Sequence, residues 1–117
     1  MTSERERRVQ RIGMLIGLRD EAEAAYRRLH ADDEPGVRDL LTKYHIRNFS
    51  IFLHRLPDGR LYEFAYFEYV GSDLERDLAA LDAEPRNRAW LARCDPMQRP
   101  LPGAASWTVM EAIYFQP

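Results

Sequence analysis

Tyr26 and His30 stand four residues apart in AAYRRLHADDEP, residues 24–35. On a helix that spacing puts both on one face, so a phenol and an imidazole can converge on one small object. Imidazole titrates near neutrality and can take and return a proton within one turnover, so the chemistry on offer is general acid–base catalysis. The same spacing suits a pair that sits on the helix surface or caps its last carbonyls. Spacing alone leaves both open.

The remaining candidates are weaker. His45 and His54 bracket an expected strand, on opposite faces and about 30 Å apart along it, so they cannot share a metal. Asp32, Asp33 and Glu34 are adjacent rather than spaced as ligands and read as a solvated acidic turn; no metal site is expected. The single cysteine, Cys94, excludes an intramolecular disulfide, and the opposing charges of Arg93 and Asp95 with no local histidine make it a poor nucleophile. Trp90 can serve as a platform for the apolar face of a sugar or as packing, and Trp107 reads as packing. Gly13 and Gly17 lack the Gly-Lys-Ser/Thr that a phosphate loop needs.

A chain of 117 residues with 45% apolar and 31% charged residues fits one soluble globular domain, and its net charge of -2 gives no pull toward nucleic acid. Its apolar runs are far shorter than the roughly 20 residues of a membrane helix. No signal-peptide core follows the first charges, so a cytoplasmic location is expected.

These side chains need elements to hold them. Residues 1–8 are nearly all polar and read as a charged disordered tail, leaving a single domain over 9–117. The spacing predicts a strand over 9–18, a helix over 20–30 capped by Asp20 with Glu23, and a helix over 35–44 opened by Pro35. A hairpin follows, with strands 45–55 and 60–70 around Pro57-Asp58-Gly59. Ser72 and Glu75 form a capping box for the next helix, Pro85 opens a short one to Arg93, prolines 96, 100 and 102 make a loop, and 106–115 is the last strand. That order, βαββαβ, is the α+β ferredoxin-like sandwich. Phe49, Ile51, Phe64, Tyr66 and Ile113 are expected on the face away from the helices, where a second copy of the chain would cover them or the face would serve as a pocket.

Taken together, Tyr26-x-x-x-His30, Pro35, Asn48-Phe49-Ser50-Ile51-Phe52, Arg88-Ala89-Trp90 and Met110-Glu111-Ala112-Ile113-Tyr114-Phe115 resemble the L-rhamnose mutarotase family over about residues 9–117. The resemblance implies a dimeric ferredoxin-like α/β sandwich that interconverts the α and β anomers of a free 6-deoxy-L-hexose without metal or organic cofactor. It places the proton donor at His30 and sugar-binding positions at Tyr26, Phe49, Ala89 and Trp90. Two of these depart from the family pattern: Phe49 stands for a tyrosine and Ala89 for a tryptophan. The lost hydroxyl implies that Asn48 or a water makes that hydrogen bond, the lost indole implies a larger pocket, and L-fucose becomes the alternative to L-rhamnose. Competing readings are a cofactor-free oxygenase or other small-molecule enzyme on the same fold, and a non-catalytic sugar-binding or dimerisation module.

Overall fold

The computed structural model describes residues 9–32 and 36–117. The expected tail, together with Asp33, Glu34 and Pro35, lies outside the described residues.

In the first strand, β1 (Gln10–Leu18), Ile12, Met14, Ile16 and Leu18 recur at the period of a strand and share one face. That face receives α1 (Glu23–Leu29) and α2 (Arg38–Lys43). The hairpin strands β2 (Ile46–Arg55) and β3 (Leu61–Tyr69) follow, then α3 (Leu74–Ala83), α4 (Pro85–Cys94), a two-residue β4 (Gln98–Arg99) and a short β5 (Thr108–Met110). The sheet is antiparallel with the order β2-β3-β1-β4, and β5 also pairs with β1. Mixed α+β content, this order and helices on one face make the fold ferredoxin-like.

Burial follows the alternation. In β3 every second residue, Leu61, Glu63, Ala65, Phe67 and Tyr69, is buried under the helices. One apolar cluster joins Val37, Leu40, Ile46, Phe67, Tyr69 and Leu81; a second joins Leu18, Tyr26, Leu29, Leu61 and Cys94, and Trp90 packs against both. The other face of the sheet carries Leu15, Phe52, Phe64, Tyr62 and Tyr66, placed there by register.

Two irregularities matter. Asn48 has a left-handed backbone (φ 54), and Asn48 with Phe49 opposes the single residue Phe67: a β-bulge. The extra residue flips the alternation, so Ile46 before it and Ile51 after it share the helix side. Phe49 and Ile51 therefore do not lie on the open face, as strict alternation led us to expect. Phe49 stacks on Phe67 at 5.6 Å. The second irregularity is Gly17, where an added Cβ would lie 2.6 Å from the Arg99 carbonyl oxygen. Only glycine lets β4 approach β1 this closely.

Several boundaries differ from expectation. Asp20 begins a 3-10 turn and makes no side-chain cap; its carboxylate pairs with Arg55 at 3.2 Å instead. Asp73, not Ser72, caps α3, accepting from the Arg76 backbone N–H at 3.0 Å. The last strand spans three residues, and 111–117 are exposed without ladder pairing, which also removes Ile113 from the sheet face. The hairpin turn is as expected: Gly59 takes φ 83, and the Asp58 carboxylate accepts from the Arg60 N–H at 2.9 Å.

Below α3, the fully buried Tyr69 gives its hydroxyl hydrogen to Asp77 and accepts from the Asp73 backbone N–H at 2.9 Å, while His45 meets the same carboxylate at 3.0 Å. Tyr69→Phe leaves the Asp73 donor without its partner. The expected loss is about 1–2 kcal/mol, read as a lower urea midpoint at unchanged slope; an unchanged midpoint would show that the hydroxyl is dispensable.

Candidate active site

The helix α1 ends at Leu29, and its last carbonyls need donors. The Tyr26 carbonyl receives the His30 backbone N–H at 3.2 Å and the ring Nδ1–H at 2.9 Å. A carbonyl can only accept, so Nδ1 carries the proton and Nε2 of the neutral ring is left as the acceptor. The imidazole stacks on the Tyr26 ring at 4.2 Å and meets the Trp90 ring edge-on at 5.0 Å. Burial pushes the His30 pKa below its ordinary value of 6.5, outweighing the carbonyl hydrogen bond, with Arg38 pushing the same way. The ring is neutral at pH 7.

A cavity of about 660 Å³ opens between the sheet and the helices, lined by His30, Tyr26, Phe49, Trp90 and Trp107 among others. A smaller chamber of about 260 Å³ is lined by the same Tyr26–His30 pair together with Leu18, Arg27, Ile51, Leu53 and Glu63. The pair thus fronts both spaces. The Tyr26 hydroxyl accepts from Gln98 Nε2 at 3.1 Å, and the same amide donates to Glu63 Oε2 at 3.2 Å. Burial raises the Tyr26 pKa, the neighbouring Glu63 charge adds to it, and the phenol keeps its proton. Burial also pushes the Glu63 carboxyl up to about 7.

His30, Tyr26, Phe49 and Trp90 come together as expected. Asn48 borders the cavity, but its side-chain amide donates to Glu68 Oε1 at 3.0 Å. Ala89 is exposed on α4 and does not line this cavity. Trp107 lines it instead, from the segment entering β5. His45 and His54 lie apart, His45 against Asp77 and His54 on the open face opposite Tyr62. Burial, with Asp95, pushes the Cys94 thiol up to about 12, which makes it inert at pH 7. Among the described residues no three His, Cys, Asp or Glu side chains are grouped to hold a metal, and no helix is long and apolar enough to cross a membrane.

Glu63 and Gln98 went unnoticed in the sequence. The signal for Glu63 was present, since a carboxylate occupies an inward position of the alternating run Leu61-Tyr62-Glu63-Phe64-Ala65. Gln98 gave none, because the close approach of β4 that delivers it is not written in a residue pattern.

Fold and site define a ferredoxin-like α+β protein with one histidine and an aromatic wall facing a small-molecule cavity. The family model for L-rhamnose mutarotase matches residues 11–116, and the chain belongs to that family of carbohydrate isomerases. No curated protein matches the chain.

The tautomer and its neutrality are open to measurement. Long-range proton–nitrogen NMR should show His30 with the proton on Nδ1 at pH 7 and a titration midpoint below 6.5. A midpoint at or above that value, or a proton on Nε2, would contradict the geometry described.

Proposed function

We propose that the protein interconverts the α and β anomers of a free 6-deoxy-L-hexose, L-rhamnose or L-fucose, with His30 as the acid–base group. The observation that carries this reading is the free Nε2 of a neutral imidazole held at the cavity between Tyr26 and Trp90. A pyranose opens when the anomeric hydroxyl loses its proton, the C1–O5 bond breaks and the ring oxygen gains a proton. The aldehyde turns about C1–C2, and closure on its other face gives the opposite anomer. No redox step or metal is required, and an acid–base pair in a shaped pocket suffices.

The family resemblance gives His30 as a proton donor, but a neutral ring with Nδ1–H bound to the Tyr26 carbonyl offers Nε2 as an acceptor, so we assign His30 Nε2 to take the anomeric proton and return it on closure. Tyr26, whose ring packs on the imidazole, is the adjacent hydroxyl that can serve the ring oxygen. Trp90 offers a flat apolar surface to the sugar face that carries the 6-methyl group. Phe49 lies flat on Phe67 and has no hydroxyl, and the Asn48 amide is engaged by Glu68, so neither is poised to read a ring hydroxyl. L-Rhamnose and L-fucose differ in the configuration of their ring hydroxyls, and a site with fewer such contacts discriminates less between them.

Saturation-transfer NMR on the anomeric protons of each sugar at equilibrium should show faster exchange with protein present. His30→Ala should lower that acceleration about 10²–10⁴-fold while the circular dichroism stays native. A folded His30→Ala protein at the parent rate would remove His30 from the mechanism, and no acceleration of either sugar by the parent would remove the mutarotase reading.

The same family membership supports a homodimer packed through the open sheet face. There Phe52 is 65% exposed in the single chain, and beyond β5 Ile113 is 89% exposed. Equilibrium sedimentation should give a dimer at micromolar concentration and a monomer for Phe52→Glu combined with Phe64→Glu. A monomeric parent protein would refute this assembly.

A further inference from the structure

Glu63 is fully buried in the middle of β3, flanked across the sheet by the uncharged Ile16 of β1 and Leu53 of β2. Among the described residues no cation pairs with it. Its Oε2 accepts from the Gln98 amide at 3.2 Å, the same amide nitrogen donates to the Tyr26 hydroxyl at 3.1 Å and so holds phenol and carboxyl about one donor, and its Oε1 has no hydrogen-bond partner among the described residues. The titratable groups that face this region are Tyr26, Arg27 and His30 from α1 and Cys94 from α4. Arg27 is tied at 2.9 Å to the exposed side of α1 through Glu23. An unpaired carboxylate in such a place is costly, whereas the neutral acid is tolerated and can donate.

Resting on the mutarotase reading above, we infer that Glu63 is a positioning and proton-holding residue: its carboxyl supplies, through the Tyr26 hydroxyl, the proton that the sugar ring oxygen gains on opening. The step balances. His30 Nε2 takes the proton from the anomeric oxygen, whose electron pair forms C1=O1 as C1–O5 breaks. O5 takes the Tyr26 proton, and the Tyr26 oxygen takes the proton of Glu63. The open-chain state thus holds an imidazolium and a carboxylate on either side of Tyr26, and ring closure reverses every transfer. Gln98, donating to both oxygens, keeps the phenol and the carboxyl aligned.

The consequence is a pH profile with two limbs. Activity requires neutral His30, so the acid limb falls below 6.5. Activity also requires protonated Glu63, so the alkaline limb falls near 7. The experiment measures anomer exchange of L-rhamnose and L-fucose by saturation-transfer NMR across pH 5 to about 9 for the parent, Glu63→Gln and Gln98→Met.

Glu63→Gln should lower the maximal rate about 10²-fold with little change in KM and should abolish the alkaline limb. Gln98→Met removes a donor that stabilises the carboxylate and should move the alkaline limb to higher pH. A Glu63→Gln protein that keeps the parent rate and both limbs overturns the inference and leaves the mutarotase reading intact. A parent that accelerates neither sugar overturns both. Should Glu63→Gln not fold, Gln98→Met decides: an upward shift supports the role and an unmoved limb overturns it. In the parent, the Glu63 carboxyl carbon should titrate near 7 by NMR, and a titration near the ordinary glutamate range would also overturn it.

Discussion

The hydrogen bond from His30 Nδ1 to the Tyr26 carbonyl is the contact on which the rest of the site depends. The helix ends at Leu29, and the Tyr26 carbonyl, which already accepts the His30 backbone N–H at 3.2 Å, gives its second lone pair to the imidazole N–H. Three properties follow from that one bond. The tautomer is fixed, the ring is laid against Tyr26, and the free nitrogen is the one with access to the cavity.

The sheet supplies the opposite wall through two departures from regularity. At Asn48 the bulge reverses which side chains of β2 face the helices, so Phe49, Ile51 and Leu53 join the side that holds the histidine. At Gly17 the missing side chain lets the β4 backbone close on β1, which carries Gln98 to Tyr26 and Glu63. Regular strands alone would have put Phe49 on the far face and left Tyr26 without its amide donor. Both features act through backbone geometry rather than through the side chains of the residues that cause it.

This explains what was legible in the sequence. Period-two alternation located β1, β2 and β3, the Pro57-Asp58-Gly59 signal located their turn, and Pro85 located the start of α4, because each is a local rule about one segment. The helical spacing of Tyr26 and His30 put them together for the same reason. The face assignment of Phe49 and Ile51 failed because one left-handed residue resets the alternation, and Asn tolerates that conformation without announcing it. The strand expected over 106–115 reduces to Thr108–Met110, with Phe115 instead resting against the Arg11 guanidinium. Propensity for extended structure was there, but ladder pairing needs a partner edge, and propensity does not state where that edge is.

Glu63 and Glu68 show how one strand gives the same side chain two characters. They lie five residues apart in β3, so the alternation sends them to opposite faces. On the open side, Glu68 accepts from Asn48 and from the Tyr66 hydroxyl at 2.8 Å and is only partly buried. On the helix side, Glu63 has a single amide donor and, among the described residues, no cation, and burial pushes its carboxyl up to about 7. A residue kept only for packing would be better served there by leucine, which fills similar space without a desolvation penalty. An acid that is half-protonated near neutrality, sharing one amide donor with a phenol whose ring stacks on a neutral imidazole, is instead matched to a reaction that must give and take a proton at two oxygens in the same turnover.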